Sequence, residues 1–489
     1  MRQDNGVDGS AQRMGQMVWM FFLKVYDSQE EVWEVYDENY KSIIPEELRW
    51  RNWAVDNKDG KAKTGDDLLS FVNNELFPKL KNLPITAKTP RKQSIVRDVF
   101  VDINNYMKNG VLLRQVINEI DQVDFSEADD RHTFGDMYEK LLKDLQSAGT
   151  AGEFYTPRTL TDFIVEMLNP QIGEKFADYT SGTGGFLTST INHLEKQKKT
   201  PDDVKKIQDS LFGQEWKPLP YLLSITNLLV HGIEEPNVKH GNSLAVNVQD
   251  LKDSQLADVI GMNPPYGGVA TATDKKNFPA DMQSSETADL FVASIMYHLK
   301  ANGRAGVIIP DGFLFGTDSS AKIAIKTKLL RDFNLHTIIR LPGSIFSPYT
   351  SIATNILFFD KCRADGAEEG FSTDKTWFYR LDMPDGYKHF SKTKPMKSEH
   401  CQPIRDWWNN RVEIADADGN PKAKCFTAKE LEERGYNLDL CGYPHEEEEI
   451  LSLADTIQNY EEKRTSLNAD IDRILQQITD LHDKAQKGE

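Results

Sequence analysis

Lys175-Phe176-Ala177-Asp178-Tyr179-Thr180-Ser181-Gly182-Thr183-Gly184-Gly185-Phe186-Leu187 carries three signals in one short stretch. An apolar run ends at an aspartate, glycines follow, and a helical pattern begins at Phe186 and continues to residue 198. A strand that turns directly into a helix is the repeating unit of parallel sheets. Glycine, lacking a Cβ, lets the backbone turn sharply and lie close to a ligand. The turn is compatible with a plain tight loop or with a binding edge at a helix N-terminus. It is not GxGxxG and has no Lys-Ser/Thr of a P-loop, so phosphate-rich cofactors are disfavoured.

Further along, short apolar runs at 175–177, 210–213, 257–261, 304–309, 337–341 and 355–359 alternate with helical patterns at 186–198, 220–231, 287–300 and 319–333. That alternation predicts an α/β fold with a mostly parallel sheet covered on both faces, and ligands at the carboxyl ends of its strands. Before it, Met14, Met17, Val18, Phe21 and Phe22 fall at helical spacing behind Asp8 and Ser10, and further helices are expected over 68–76 and 106–120. Residues 1–150 thus read as a helical accessory domain, 151–400 as the catalytic domain and 401–489 as a C-terminal region. Lys88, Arg91, Lys92 and Arg97 are expected on a solvated face. From Ile450 to Ala485 apolar residues recur at steps of three and four, broken only by Arg464, which predicts a long helix over 450–485 with a coiled-coil stripe. The stripe either folds back on its own chain or docks on a partner helix, and the acidic run 446–449 suits the start of such a helix.

The 489 residues suggest about three folding units. With 58 Lys and Arg against 76 Asp and Glu, the formal charge is −18. Such a chain lacks the basic footprint of free-standing nucleic-acid binding, so a nucleic-acid function needs help from elsewhere. The apolar stretches at 18–23 and 221–230 are too short to span a bilayer, and no signal-peptide layout is present. Cys362, Cys401, Cys425 and Cys441 form no CxxC pair, even with His400 and His445 near two of them. Reduced thiols, no metal site and a cytoplasmic location are expected.

Two further strand ends carry chemistry. Glu215 closes Gly213-Gln214-Glu215, where an acid can accept both hydroxyls of a ribose or simply sit on the surface. Asn263-Pro264-Pro265-Tyr266 follows the apolar run ending at Gly261. Two prolines stiffen the backbone and leave its carbonyls free. Asn263 adds an amide oxygen and Tyr266 a flat ring. These parts suit an amino group attached to a planar ring: two oxygens accept its N–H bonds while the aromatic stacks. Methylation at a ring carbon would call for a Cys nucleophile, and no Cys occurs in the first two thirds of the chain.

The ordered set Glu153-Phe154-Tyr155-Thr156-Pro157-Arg158, the Gly-rich turn, Glu215 and Asn263-Pro264-Pro265-Tyr266 resembles the motifs of S-adenosylmethionine-dependent methyltransferases acting on adenine amino groups. The best resemblance is to the modification (methylation) subunit of type I restriction–modification systems, over residues 150–360. It implies a class I, Rossmann-like methyltransferase fold with S-adenosylmethionine as cofactor. Glu153, Phe154, Tyr155, Thr156, Pro157 and Arg158 would line the cofactor with Ser181, Gly182 and Thr183. Thr156 would lie near its methionine part, Asp178 near its amino group and Glu215 at its ribose. Gly184 and Gly185, with Gly182, would permit close approach. Asn242 and Ser243 match a following motif in which many relatives carry Asp rather than Asn, and Tyr179 stands where Pro is common. Asn263, Pro264, Pro265 and Tyr266 would grip the base, and Phe346 would supply another wall.

The same resemblance implies double-stranded DNA as substrate, with the base flipped out. Two copies of the chain would join one specificity subunit, with a translocase/endonuclease subunit added for cleavage. Segment 267–285 is expected to be a mobile loop near the pocket. Competing readings are a protein glutamine N-methyltransferase with the same asparagine grip, or a catalytically silent scaffold.

Overall fold

The structure, a computed structural model, describes residues 1–445 apart from residues 2, 57–61, 123–134, 136–137, 141, 144–154, 317–318, 363–369 and 392, together with residues 461, 464 and 465. Residues 1–445 form one compact unit and 446–489 another. Within the second, the Thr465 hydroxyl donates to the Glu461 carbonyl at 2.7 Å, one helical turn back. The expected helix over 450–485 and the acidic run 446–449 otherwise lie outside the described residues, as do Glu153 and Phe154.

Short strands with apolar centres and polar ends are stable in a parallel sheet covered on both faces. β1 (Phe176–Asp178), β2 (Leu211–Glu215), β3 (Val238–His240) and β4 (Ala257–Met262) pair in parallel, with β1 between β2 and β4. β5 (Leu299–Pro310) continues the parallel run beside β4. β7 (Thr354–Lys361) lies antiparallel between β5 and β6 (Phe333–Arg340). The sheet order is β3-β2-β1-β4-β5-β7-β6-β8-β10-β9. It does not stop at residue 400, where the sequence reading ended the catalytic domain. β8 (Lys375–Arg380) joins β6 in parallel, and β9 (Ile414–Ala415) and β10 (Pro421–Thr427) extend the sheet antiparallel. Successive strands run outward in opposite directions from β1 and β4, so the crevice at their carboxyl ends is the switch point where such folds bind ligands.

The N-terminal residues are helical as their spacing predicts. α1 (Gly9–Tyr36), α2 (Arg91–Phe100) and α3 (Gly110–Asp121) share a core with Trp19, Phe22, Phe77 and Phe100, whose rings meet edge-on or tilted. α4 (Arg158–Leu168) and α5 (Gly185–Glu195) cover the central strands, α4 with Leu160, Phe163 and Ile164 buried. α6 (Pro201–Ser210) leads into β2, and α7 (Pro218–Val230) follows it. Every residue of α7 from Pro220 to Val230 is buried, because α7 packs on α1 as well as on β2 and β3. A helix apolar all round needs such two-sided cover, and that accounts for the 221–230 apolar run. No helix among the described residues is long and apolar enough to cross a membrane.

Arg91 departs from the solvated face expected of it. Its guanidinium donates to Asp98 at 2.6 Å, the Tyr221 hydroxyl at 3.1 Å and the Val238 carbonyl at 2.7 Å, bolting α2 to α7 and β3. Lys92 lies 4.9 Å from the Trp33 ring. Segment 267–285 is also more built than a loose loop. Val269 bridges Glu286, and Thr271 and Asp274 cap a short helix over Ala272–Lys276 reciprocally.

Candidate active site

The Gly-rich turn is fastened to the end of β2. Ser181 N–H donates to the Gln214 carbonyl at 3.0 Å, and Gly182 N–H to Glu215 Oε2 at 2.9 Å. Lys217 N–H donates to Glu215 Oε1 at 2.8 Å, so both carboxylate oxygens are aimed by backbone. Burial nevertheless raises the Glu215 carboxyl above its ordinary range. Asp178, 1% exposed, accepts from Thr180 N–H at 3.0 Å. Burial, with the charge of Glu215 adding, pushes its carboxyl up to about 8 against that hydrogen bond. Behind the turn, Asn227 Nδ2 donates to the Thr183 carbonyl at 2.9 Å.

Gly184 has φ +82° and caps α5, a left-handed conformation that a side chain would strain. Gly185, at the edge of the same turn, also makes room for a neighbour. A Cβ there would lie 1.9 Å from Arg158 Nη1, so the missing methyl makes room for that guanidinium. Arg158 donates to Glu139 Oε2 at 2.6 Å and to Thr183 Oγ1 at 3.3 Å, and lies over the Tyr155 ring at 5.2 Å.

Asn263 follows β4 directly. Its backbone carbonyl accepts from Thr180 Oγ1 at 3.2 Å, tying the two strand ends together. Its side chain is fixed at both ends: Nδ2 donates to Thr156 Oγ1 at 3.0 Å, and Oδ1 accepts from the Tyr266 hydroxyl at 2.5 Å. The Tyr266 and Phe346 rings meet edge to face at 6.0 Å.

Two recesses open on either side of Asn263. One is lined by Thr156, Asp178, Thr180, Ser181, Gly182, Thr183, Gly185, Phe186 and Asn263. The other is lined by Tyr155, Asn263, Pro264, Pro265, Tyr266, Phe346 and Tyr349. Asn263 is their common wall. A wider cleft, bordered by Lys140, Lys143, Arg158, Phe390 and Met396, also reaches Tyr155.

Most of the expected residues therefore converge, with exceptions: Arg158 borders the wider cleft, and Gly184 and Glu215 line neither recess, Glu215 meeting the first only through Gly182 N–H. Tyr155 lies on the aromatic side rather than with the cofactor set. Pro157 caps α4 and borders the wider cleft. Asn242 and Ser243 line neither recess. Asn242 Nδ2 donates to Asp274 at 2.9 Å while its Oδ1 accepts from Leu244 N–H, and the Ser243 hydroxyl donates to the Tyr179 carbonyl at 2.6 Å. Sequence reasoning passed over Thr180, Phe186, Tyr349 and Trp216. Trp216 follows Glu215 and is 66% exposed, an indole standing open at a strand end, which its position alone could have flagged.

The first recess combines one acid, Asp178, with small hydroxyls and the Phe186 ring, and a second acid, Glu215, sits beside it on the Gly182 N–H. Ser181 Oγ is buried with no hydrogen-bond partner among the described residues. Such a set favours a ligand with a cationic amine and sugar hydroxyls over a polyphosphate. The second recess, with one amide oxygen among aromatic walls, suits a flat base carrying an amino group.

Comparison with known proteins agrees. Residues 129–450 match the N-6 DNA Methylase family, and residues 1–120 match the HsdM N-terminal domain. The chain is 45% identical to the type I restriction enzyme EcoEI methylase subunit of Escherichia coli, across 98% of this chain and 95% of that protein. It is 30% identical to the EcoKI methylase subunit of Escherichia coli K12, across 80% and 72%. Among solved structures, a modification subunit from Vibrio vulnificus YJ016 matches with TM-score 0.75 at 38% identity, covering 93% of this chain and 95% of that one. A chain solved in work on complex assembly and conformational transition of the type I R-M system matches with TM-score 0.78 at 32% identity, covering 97% and 94%. The chain belongs to the N-6 DNA methylase family, as a methylation subunit of the type I restriction–modification kind and an adenine-specific DNA methyltransferase.

Proposed function

We propose that this chain moves a methyl group from S-adenosylmethionine to the N6 amino group of an adenine flipped out of duplex DNA, while a separate subunit chooses the sequence. S-adenosylmethionine is the cofactor of this family and supplies, when bound, an electrophilic methyl on a sulfonium. The first recess fits it. Asp178 and the unpartnered Ser181 hydroxyl would hold its amino-acid end, Glu215 its ribose hydroxyls and the open Trp216 ring its base.

The observation that carries this reading is Asn263 as the wall between the two recesses, with its amide oxygen on the aromatic side. An adenine amino group is a poor nucleophile because its lone pair is drawn into the ring. Asn263 Oδ1 and the Pro264 carbonyl would accept its two N–H bonds and localise that lone pair toward the methyl. Both oxygens would then stabilise the positive charge developing on nitrogen, as preorganised dipoles do. Among the described residues, neither recess is lined by His, Lys or Cys, in keeping with a transfer that needs no general base beforehand. Flipping the base costs a few kcal/mol, and stacking on Tyr266 offsets about 1–3 kcal/mol of it. Phe346 and Tyr349 would complete the walls. Transfer of labelled methyl to DNA by the assembled complex tests the reading. Asn263→Ala should abolish transfer with cofactor binding retained; full turnover in that variant removes the chemistry.

With charge −18, the chain has little intrinsic grip on phosphates. The reading therefore includes a DNA-recognition subunit held by two copies of this chain, a translocase/endonuclease subunit for cleavage, and a cytoplasmic setting. The heptad stripe over 450–485 is the proposed contact with the recognition subunit. Deleting 450–489 should release that subunit in a pull-down while cofactor binding stays, and continued assembly excludes the contact.

A further inference from the structure

An asparagine amide has an accepting end and a donating end of nearly the same shape, and the torsion that exchanges them is soft. Only one orientation serves the reaction proposed above. With Nδ2 facing the base, donor would meet donor and the lone pair on the target nitrogen would not be drawn out. In this structure the amide is held from both sides, by Thr156 at Nδ2 and by Tyr266 at Oδ1. In the reaction proposed above, a bound base would take the place of the Tyr266 hydroxyl. Of the two, only Thr156 then still holds the amide.

We propose that Thr156 is the positioning residue that holds the Asn263 side chain in place at the wall, its hydroxyl accepting from Nδ2 while the amide oxygen lies on the base side. Its hydroxyl accepts from Asn263 Nδ2 at 3.0 Å across the wall between the recesses. The inference rests on the base-binding role of Asn263 but goes beyond it, because Thr156 acts through another side chain from the opposite side of that wall.

The local sequence explains why the hydroxyl is dependable. Thr156 precedes Pro157, and a residue before proline is confined to extended backbone. Pro157 caps α4, whose Leu160, Phe163 and Ile164 are sunk in the core, so the Thr156 backbone is anchored to the scaffold. Side chains on extended backbone alternate, which places Tyr155 in the aromatic recess and Thr156 in the other. A β-branched side chain is stiff at χ1, so the hydroxyl keeps its aim.

Thr156→Val keeps shape and removes the acceptor, whereas Thr156→Ser keeps the acceptor. Both are to be assayed as full-length chains in the assembled methylation complex, with kcat, KM for DNA and Kd for S-adenosylmethionine measured separately. The valine variant should lose about 10- to 100-fold in kcat, the scale of a misaligned reacting group, a loss that persists at saturating S-adenosylmethionine and so exceeds any change in cofactor Kd. The serine variant should restore turnover. Thr156→Ala, which adds no buried methyl, repeats the measurement should valine disturb folding. Wild-type kcat in the valine and alanine variants, or a loss confined to cofactor Kd, overturns the proposal. If Asn263→Ala is inactive while Thr156→Val is normal, this inference alone falls; if Asn263→Ala is active, the base-binding reading falls with it.

Discussion

The Tyr266 hydroxyl donates a 2.5 Å hydrogen bond to Asn263 Oδ1, the oxygen that the proposed reaction assigns to the target amino group. The stacking residue thus occupies the acceptor that the substrate must claim. Tyr266→Phe keeps the ring and removes the occupant. A net hydrogen bond of about 0.5–1.5 kcal/mol no longer opposes entry of the base, so kcat/KM for DNA should rise roughly 2- to 10-fold with kcat unchanged. Steady-state methylation over a range of DNA concentrations reads this directly; a lower kcat/KM would mean that the hydroxyl assists capture.

Cofactor binding should depend on pH through Asp178. Burial raises its carboxyl to about 8, so at pH 6 it is protonated in the empty protein. Holding a cationic amine requires the ionised form, hence affinity for S-adenosylmethionine should climb between pH 6 and about 7.5, by up to roughly tenfold per unit. Asp178→Asn should bind more weakly and lose the slope. The same raised value means that the folded chain holds a proton the unfolded chain releases near 3.8, so this group's contribution to stability declines from about pH 4 to pH 8 and is flat above. Calorimetry in buffers of different ionisation enthalpy should show proton release on cofactor binding.

Gly185→Ala puts a methyl 1.9 Å from Arg158 Nη1 and must drive that side chain off Glu139 and Thr183. Losing hydrogen bonds between charged groups costs about 2 kcal/mol, so the urea midpoint should fall accordingly. An unchanged midpoint would show that Arg158 has another comfortable position.

Asn242→Asp restores the residue that the motif often carries, yet here it should destabilise. Asn242 Nδ2 donates to Asp274, a carboxylate that burial raises but hydrogen bonds from Thr271 and Asn242 bring below its ordinary value. Two carboxylates in that position share a raised pKa, a loss of about 1–3 kcal/mol at pH 8. The loss should shrink toward pH 5 as the pair takes up a proton, since a raised folded pKa favours the folded state at low pH. Thermal unfolding at the two pH values separates this outcome from plain loss of a hydrogen bond.

The central strands were legible because β1, β2 and β4 are nearly all apolar and end in chemically marked residues: Asp178, Glu215 and the motif at Asn263. The direction of β7 was not, since a strand buried on both faces has the same pattern whichever way it runs. β3, β8, β9 and β10 were missed because they are short or broken by polar residues, as Lys422 and Lys424 flank the buried Ala423 in β10. At the site, the motif residues could be gathered from order and spacing. Which recess each one faces could not. Tyr155 and Thr156 are adjacent in sequence and part company only through the alternation of an extended backbone. Arg91 and Asn242 were misjudged for a shared reason: their partners Tyr221, Val238 and Asp274 are distant in sequence, and a polar side chain does not announce a distant partner.

The helix Pro218–Val230, buried from Pro220 to Val230 beneath Gly9–Tyr36, makes the amino-terminal helices indispensable to the sheet. Trimming the chain to its motif-bearing half would lay a greasy ridge of Leu222, Ile225 and Leu229 open to water, and a fragment so exposed should precipitate rather than fold. A shortened catalytic version of this enzyme would therefore need polar residues at those positions before it could stand without the first hundred residues.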